Sequence, residues 1–340
     1  MSEGSPRLAA EIPRRAPFRI DRLPPLALVQ LWAERDARGV RRLLAKLARA
    51  LFRSVHDRLG VPADGRLALD RGGGAVAQLR IDLRHTLYGA IARDAAGGGY
   101  EPETSALIDR IVPDGGVFFD VGANWGPFTL LVAARPGFAG RVVAFEPLVA
   151  VRAELASLVA QAGLSDRVAV RGEALSDLFG QGRMTSGWHS ALARLGAGEG
   201  GERVAVARLD DLDLPPPDVI KIDIEGHEAR ALEGARATIE KSRPLIVLES
   251  WYRPSDPQAG LAPLRWLEAA GFALYRPMWR IGAGDSAALS PLPDRGESSG
   301  TLVLLPFAAA DRLAFGADFN ALACPREKLD ALRRLFPPET

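Results

Sequence analysis

The chain has 340 residues, 47% of them hydrophobic and 25% charged, which is the composition of a globular protein with ample material for a core. That length predicts one main domain with substantial additions, or two domains. The 43 basic and 42 acidic side chains give a formal net charge of +1, so there is no global electrostatic argument for nucleic-acid binding. Because Cys324 is the only cysteine, an intrachain disulfide and a cysteine-based zinc site are excluded.

The first residues predict neither a secretion signal nor a membrane span. Residues 1–20 lack a basic stretch followed by an apolar core, and no run approaches the ~18 consecutive apolar residues of a transmembrane helix. We therefore expect a cytoplasmic protein. Residues 1–25 contain five prolines and scattered arginines, which predicts an irregular arm.

A basic amphipathic helix is predicted next, because apolar residues recur at three- and four-residue spacing from about Leu26 to Leu59. Between residues 35 and 53 there are seven basic residues, against the acids Glu34 and Asp36. The seven are Arg35, Arg38, Arg41, Arg42, Lys46, Arg49 and Arg53. The favoured interpretation is a solvated face of a docked helix, and peripheral contact of this basic helix 35–53 with an anionic membrane or a partner stays open.

Residues 66–98 predict one or two strands interrupted by Gly72, Gly73 and Gly74, followed by a short helix. After Tyr100, predicted strands and helices alternate. The strands are 117–121, 141–147, 167–170, 218–223 and 244–250, and the helices are 103–111, 127–135, 150–162, 227–241 and 261–270. This alternation predicts an α/β fold with a doubly wound, mostly parallel sheet. Residues 272–280 and 301–306 follow without a long intervening helix and predict a closing antiparallel pair.

Acidic residues follow the predicted strands, at the edge where open α/β sheets bind ligands. The first of these strand ends leads into the turn "DVGANWG", in which Gly122 and Gly126 permit unusual backbone angles or a close approach. Glu146 ends the next strand, twenty residues after Gly126, where an acid can accept hydrogen bonds from both hydroxyls of a ribose. Both NAD and S-adenosylmethionine carry such a ribose. The turn lacks the GxGxxG spacing that a pyrophosphate needs, so the pattern favours the methyl donor.

Eight segments, in order and spacing, resemble the FkbM-type S-adenosylmethionine-dependent methyltransferases. They are "YEPE" at 100, "DVGANWGPFTLL" at 120, "VVAFEP" at 142, "GEALSD" at 172, "LDDL" at 209, "KIDIEGHE" at 221, "LEGA" at 232 and "RPLIVLE" at 243. The resemblance covers roughly residues 97–306. It implies a seven-stranded, Rossmann-like class I methyltransferase sheet with a reversed final strand, S-adenosyl-L-methionine as the cofactor, and methylation of hydroxyls on sugars, polyketides or other secondary metabolites.

The resemblance also implies roles for individual residues. Asp120, Gly122, Asn124 and Gly126 would hold the methionine part of the cofactor, Glu146 the ribose, and Glu173 with Ala174 would flank the adenine. Pro127 stands where many members have an aromatic residue, which puts any ring contact there in doubt.

The end of the fourth strand supplies the candidate catalytic residues Asp223, Glu225 and His227. Asp223 is the first choice for a group near the reactive methyl, and His227 is the favoured base because its ordinary pKa lies near neutrality. His227 serving only to open the following helix stays an alternative. A divalent cation held by these three residues with Glu249 is the less favoured interpretation, so we assign no metal.

We therefore predict an N-terminal extension over residues 1–96, a methyltransferase domain over 97–310 and a C-terminal helical tail over 311–340. The predicted function is an O-methyltransferase acting on a hydroxyl of a sugar, glycan or secondary metabolite, with no nucleic-acid partner. Two alternatives stay open. One is a non-catalytic module that docks through the basic helix on a membrane or partner, and the other, less favoured, is an NAD-dependent oxidoreductase.

Overall fold

The computed structural model describes residues 6–15, 17–34, 40–83, 99–185, 194–196, 201–252, 255–282, 288–294 and 299–339. The strands within these residues are β1 (Leu8–Pro13), β2 (Phe18–Arg22), β3 (Asp64–Asp70), β4 (Val76–Asp82), β5 (Val117–Val121), β6 (Arg141–Phe145), β7 (Val168–Arg171), β8 (Glu173–Leu175), β9 (Gly180–Thr185), β10 (Arg194–Gly196), β11 (Glu202–Ala207), β12 (Val219–Ile222), β13 (Leu245–Ser250), β14 (Phe272–Ile281), β15 (Ala288–Ser290), β16 (Ser299–Phe307) and β17 (Phe319–Pro325). The helices are α1 (Pro25–Glu34), α2 (Val40–Phe52), α3 (Pro102–Ile111), α4 (Pro127–Ala133), α5 (Val149–Gln161), α6 (Glu228–Gly234), α7 (Arg236–Ser242), α8 (Pro257–Ala269) and α9 (Leu329–Leu335).

The main sheet has a parallel block and an antiparallel block. Strands β13, β12, β5, β6 and β7 lie parallel in that order. On the other side of β13 come β17, β14, β16 and β1, each antiparallel to its neighbours, and β15 pairs with β14. The predicted pairing of residues 272–280 with 301–306 is confirmed by the β14–β16 ladder. The predicted number of seven strands differs from the structure, because the sheet formed by the described residues has ten strands.

Both faces of the sheet are covered by other parts of the chain, as predicted for a doubly wound fold. Adjacent residues of a strand point to opposite faces, and in β5 Phe118 belongs to one apolar cluster while Phe119 belongs to another. Val142 and Val143 of β6 divide in the same way. Because both faces are buried, these strands appear in the sequence as continuous apolar runs.

The C-terminal segment is not the helical tail predicted for residues 311–340. It contains β17, which lies between β13 and β14 in the middle of the sheet, and α9 follows it. The sequence of β17, "FNALACP", is rich in small residues with weak strand propensity. Burial and pairing on both sides determine its conformation, so propensity alone is a poor guide there.

The N-terminal extension also differs from its prediction as an irregular arm followed by a helix. Within the supposed arm, β1 forms the edge of the main sheet, and β2 pairs with the hairpin β3–β4. Within the described residues, the predicted helix 26–59 is represented by α1, by α2 and by a short π-helical stretch over Arg53–Arg58. The short helix predicted after residue 82 lies mostly outside the described residues, as do residues 35–39 of the basic helix.

The extension packs directly on the α/β domain. The ring of Phe18 stands edge-on to that of Trp125, with ring centroids 5.5 Å apart, and Arg15 Nη1 donates to Asp109 Oδ1 at 3.1 Å. Apolar residues of both regions form one buried cluster. In the part of the chain that the structure describes, no helix is both long enough and apolar enough to cross a bilayer.

Candidate active site

A cavity of about 270 Å³ opens at the carboxyl ends of the parallel strands. Its walls come from the turn after β5, the ends of β6, β12 and β13, the strand β8 and the start of α3. The lining residues are Tyr100, Glu101, Val121, Gly122, Ala123, Asn124, Pro127, Phe128, Phe145, Glu146, Pro147, Glu173, Ala174, Leu175, Met184, Lys221, Asp223, Ile224, Glu225, His227 and Glu249.

The turn after β5 is held tightly against the neighbouring strands. The backbone N–H groups of Gly122 and Ala123 both donate to the carbonyl of Phe145, at 3.0 and 2.9 Å. Gly122 has a φ of +80°, and a Cβ there would lie 1.9 Å from the carbonyl oxygen of Asp223. Only glycine combines that backbone angle with so close an approach.

Two side chains of the turn maintain its shape. Asn124 has a φ of +53°, which asparagine tolerates better than most residues, and its Oδ1 accepts the N–H of Trp125 at 2.8 Å. Trp125 itself is fully buried beneath the turn, against Phe18 and Tyr100. The turn "DVGANWG" thus contains residues that line the cavity, such as Asn124, and a buried residue, Trp125, that holds the turn in place.

Asp120 and Gly126 are placed below the cavity wall. Asp120 is fully buried and accepts a hydrogen bond from Thr129 Oγ1 at 2.7 Å, and burial raises the pKa of its carboxyl. Gly126 has a φ of +91°, and a Cβ there would meet Leu155 Cδ1 at 2.3 Å. Both residues support the turn, and neither lines the cavity.

Glu146 lies at the cavity wall with both carboxylate oxygens engaged. Its Oε2 accepts the N–H of Asn124 at 3.0 Å, and its Oε1 accepts the N–H of Leu148 at 2.9 Å. Each oxygen has a second lone pair that can accept a ligand hydroxyl. Burial raises the pKa of Glu146 to about 7, although the two backbone hydrogen bonds oppose that shift.

Glu173 and Ala174 form the neighbouring wall through β8. Arg171 donates to the Glu173 carboxylate through Nε at 3.1 Å and also through Nη2. Burial acts to raise the pKa of Glu173, but the Arg171 hydrogen bond and backbone N–H groups outweigh it and lower the pKa. Glu173 is therefore an ionised, oriented carboxylate.

Lys221 and Asp223 form an ion pair in the floor of the cavity. Lys221 Nζ donates to Asp223 Oδ2 at 2.8 Å and lies 4.6 Å from the centre of the Phe128 ring. Only 2% of the Lys221 side chain is exposed. Burial disfavours its charge, yet Asp223, Asp120 and Glu101 together raise the pKa of Lys221 and keep it protonated.

Two further carboxyl groups complete this network. Glu249 hydrogen bonds with Asp223, and burial together with that neighbouring charge raises the pKa of Glu249 far above its ordinary range. Glu101 has a φ of +40° and accepts a hydrogen bond from Asn320 Nδ2 at 3.0 Å. Burial raises the pKa of Glu101 to about 7, with Lys221 opposing.

Three acidic residues lie close enough together to be considered as ligands of the divalent cation that the sequence leaves as a less favoured interpretation. Carboxylate oxygens of Asp223, Glu225 and Glu249 lie within 4.8 Å of one another, whereas His227 is not part of that cluster. Burial and the neighbouring charge of Asp223 raise the pKa of Glu249, which opposes the ionised form that a cation would need. The assignment of no metal stays a prediction.

His227 is the residue that precedes α6, and it also lines the cavity. Its Nε2 lies 2.9 Å from Ser176 Oγ, and Ser176 Oγ donates to Asp177 Oδ1 at 2.9 Å. Because Ser176 donates its own proton to Asp177, its oxygen accepts a hydrogen bond from the Nε2–H of His227. In the neutral imidazole the other nitrogen, Nδ1, then carries the free lone pair. Burial, aided by Arg230, lowers the pKa of His227 and keeps it neutral near pH 7.

Most of the predicted site residues meet at this one cavity. Those that line it are Gly122, Asn124, Glu146, Glu173, Ala174, Asp223, Glu225 and His227. Sequence reasoning missed Glu101, Lys221 and the Ser176–Asp177 pair as site residues. The motifs "YEPE", "KIDIEGHE" and "GEALSD" contain them, so the signal was present, but their contacts depend on tertiary structure.

A comparison with protein-family models matches part of the chain. Residues 120–274 match the model of the methyltransferase FkbM domain. Over these residues the chain is similar to the FkbM methyltransferase domain. This confirms the recognised family and, with it, S-adenosylmethionine as the cofactor. The FkbM match begins at the last residues of β5 and ends within β14, so it is shorter than the predicted extent of 97–306.

Solved structures similar to this chain include three methyltransferases. The methyltransferase FkbM of Methylobacillus flagellatus KT is 20% identical, with 57% of this chain and 44% of that chain covered and a TM-score of 0.37. The O-methyltransferase of Bacillus cereus, in complex with SAH, is 17% identical, with coverage of 60% and 79% and a TM-score of 0.35. A SAM-dependent O-methyltransferase of Thermotoga maritima is 14% identical, with coverage of 61% and 65% and a TM-score of 0.32.

The matched part of this chain spans less than half the length of the Methylobacillus protein. Among curated proteins, the search gave no match to this chain.

Proposed function

We propose that the protein is an S-adenosylmethionine-dependent O-methyltransferase whose acceptor is a hydroxyl of a sugar, glycan or secondary metabolite. The observation that supports it most is the charge of the cavity. Among the described residues, six carboxyl side chains line it, Glu101, Glu146, Glu173, Asp223, Glu225 and Glu249. Lys221, which also lines it, is already paired with Asp223.

This charge distribution fits a cationic ligand and opposes an anionic one. S-adenosylmethionine carries a sulfonium and an ammonium group, whereas NAD would bring a pyrophosphate into an acidic cavity. Glu101, with its pKa raised to about 7, would ionise fully when a cation binds beside it. The acidic wall therefore favours S-adenosylmethionine over NAD, in addition to the absence of the GxGxxG spacing.

Different residues of the cavity contact the ribose, the adenine and the methionine part of the cofactor. Glu146 has lone pairs for the ribose hydroxyls, and Glu173 with Ala174 forms the wall for the adenine. Gly122 and Asn124 bring backbone groups to the methionine part, while Asp120 and Gly126 support the turn from below. The bound cofactor supplies a methyl group on a positively charged sulfur.

The chain's own residues orient the acceptor and accept its proton. Methyl transfer needs the acceptor oxygen in line with the methyl carbon and its leaving sulfur, so positioning supplies much of the acceleration. We assign His227 as the base. Although burial opposes its ionisation, Lys221 holds the pKa of Asp223 below its usual range, which makes Asp223 the weaker base.

The test of this function uses the purified protein with methyl-labelled S-adenosylmethionine and a panel of hydroxylated sugars, glycans and metabolites. We expect label on an oxygen of one acceptor class, located by mass spectrometry. Label found only on nitrogen or carbon would contradict O-methylation. A folded protein that binds the cofactor and labels nothing would favour the non-catalytic module.

Glu146→Gln is expected to weaken S-adenosylhomocysteine binding about 10- to 100-fold, because losing a hydrogen bond to a charged carboxylate costs about 1.5–3 kcal/mol. The pKa of about 7 adds a pH signature. Wild-type affinity should fall as the pH drops below 7, by no more than the loss seen in Glu146→Gln, and level off above 7, since only the ionised form is a charged acceptor for the hydroxyls. Titration calorimetry across this range measures both effects.

The matched control is Glu240→Gln, on the exposed surface of α7. It should bind with wild-type affinity and wild-type pH dependence. If Glu146→Gln behaves like this control, the ribose assignment is wrong.

Removing the base should separate turnover from binding. We expect His227→Gln to lower kcat by about 10²- to 10⁴-fold, the usual contribution of a general base, with cofactor affinity nearly unchanged. Ser176→Ala should lower kcat about fivefold, the effect of one hydrogen bond, and move the acid limb of the pH–rate profile. Ser242→Ala, which removes a hydroxyl from α7, is the control.

Unchanged kcat in His227→Gln would remove His227 from catalysis. An unshifted pH–rate profile in Ser176→Ala would mean that Ser176 does not position the imidazole.

A further inference from the structure

Helix α2 presents two rows of apolar side chains, and only one of them is buried. The buried row has four-residue spacing and consists of Ala48, Phe52 and His56, the last in the π-helical stretch that follows. The rings of Phe52 and His56 are 4.4 Å apart, and Phe52 belongs to the main apolar cluster. This row anchors the helix to the rest of the protein.

The second row faces solvent. Leu43, Leu47 and Leu51 repeat every four residues and are 59%, 57% and 52% exposed. Leu44 beside them is also exposed, and α1, which packs against α2, adds exposed Leu28 and Val29. A contiguous helix face of this kind on a folded chain is typical of an interaction surface, since docking of α2 requires only the buried row.

The charge of the helix indicates what the surface contacts. Four basic residues and no acidic residue occur in α2: Arg41, Arg42, Lys46 and Arg49. Lys46 and Arg49 are exposed. A second copy of the helix would bring like charges together, whereas an anionic surface would meet them favourably.

Exposed leucines on one face and basic residues on the other are the pattern of helices that lie in a membrane interface. We propose that α2 docks the protein on an anionic lipid surface, with Leu43, Leu47 and Leu51 inserted among the acyl chains. Lys46 and Arg49 contact the headgroups by extending their charged ends toward them. This surface is separate from the cavity and does not depend on the proposed methyl transfer.

The test is flotation of the full-length protein with vesicles of phosphatidylcholine alone and vesicles that also contain phosphatidylglycerol. We expect binding to the anionic vesicles that weakens at high salt, and little binding to the neutral ones. The double variant L43S/L47S should lower the partition coefficient at least about tenfold, because two leucines lose their burial in lipid. K46A/R49A should weaken binding at low salt.

The matched control is Leu292→Ser, because Leu292 is 56% exposed but lies far along the chain from α2. It should float like the wild type, and unfolding curves should show that every variant is folded. Absence of wild-type binding to anionic vesicles would overturn the proposal, as would L43S/L47S binding like the control. A dimer in sedimentation that L43S/L47S dissociates would assign the surface to self-association and also overturn it.

Discussion

Lys221→Met is expected to lower the free energy of unfolding by about 3–5 kcal/mol, the usual cost of removing one partner from a buried ion pair. Lys221 is buried, bonds to Asp223 at 2.8 Å and has the acids Asp120 and Glu101 near it. Methionine fills much the same volume but leaves these carboxyl groups without their cation. Urea unfolding at near-neutral pH measures the loss.

The pH dependence of this loss has a definite sign. Without Lys221, the folded-state pKa values of Glu101 and Asp120 rise further above their unfolded values, and Asp223 loses the neighbouring cation that lowers its pKa. The variant's deficit should therefore be small at about pH 5, where those acids are protonated, and should grow as the pH rises through their folded-state pKa values toward pH 8.

The control is Lys241→Met, at an exposed position near the end of α7, which should change stability by less than about 0.5 kcal/mol. If Lys221→Met is no less stable than Lys241→Met, the ion-pair network does not exist as described.

Gly122→Ala is expected to cost more than about 3 kcal/mol of stability and to abolish detectable S-adenosylhomocysteine binding. Part of the cost is the strain of an alanine at a φ of +80°, about 1–2 kcal/mol. The larger part is steric, because the new Cβ would lie 1.9 Å from the carbonyl oxygen of Asp223 and must push the turn away from β12. Urea unfolding and titration calorimetry measure the two effects.

Gly73→Ala separates strain from steric conflict. Gly73 has a φ of +61° but no atom within 4 Å of the position of its Cβ. This variant should lose only the strain, about 1–2 kcal/mol, and bind the ligand normally. Equal losses in the two alanine variants would contradict the close contact between the β5 turn and Asp223.

The centre of the α/β domain could be predicted from local sequence. Strands buried on both faces appear as apolar runs, and the turn after β5 contains Gly122 and Asn124, whose backbone angles few other residues adopt. Glu146 was predicted because it ends the next strand, where the parallel arrangement brings it to the same edge. Each of these inferences needs only one or two neighbouring elements.

The missed features depend on contacts that are distant in sequence. Strand β17 is built from small residues and is determined by burial between β13 and β14. Lys221 appeared as one polar residue within the apolar strand β12, and only the folded chain brings Glu101 to it. Strand β1 could not be predicted locally, because the prolines around it indicate irregular structure. It forms by pairing with β16, almost three hundred residues away.

Titration calorimetry with S-adenosylhomocysteine and, in a parallel cell, NAD measures whether the acidic cavity is a site for S-adenosylmethionine. We expect saturable binding of S-adenosylhomocysteine, weakened below pH 7 and by Glu146→Gln, with no binding of NAD. Saturable binding of NAD, or no binding of S-adenosylhomocysteine to a protein shown to be folded, would contradict the proposal that the cavity is the S-adenosylmethionine site.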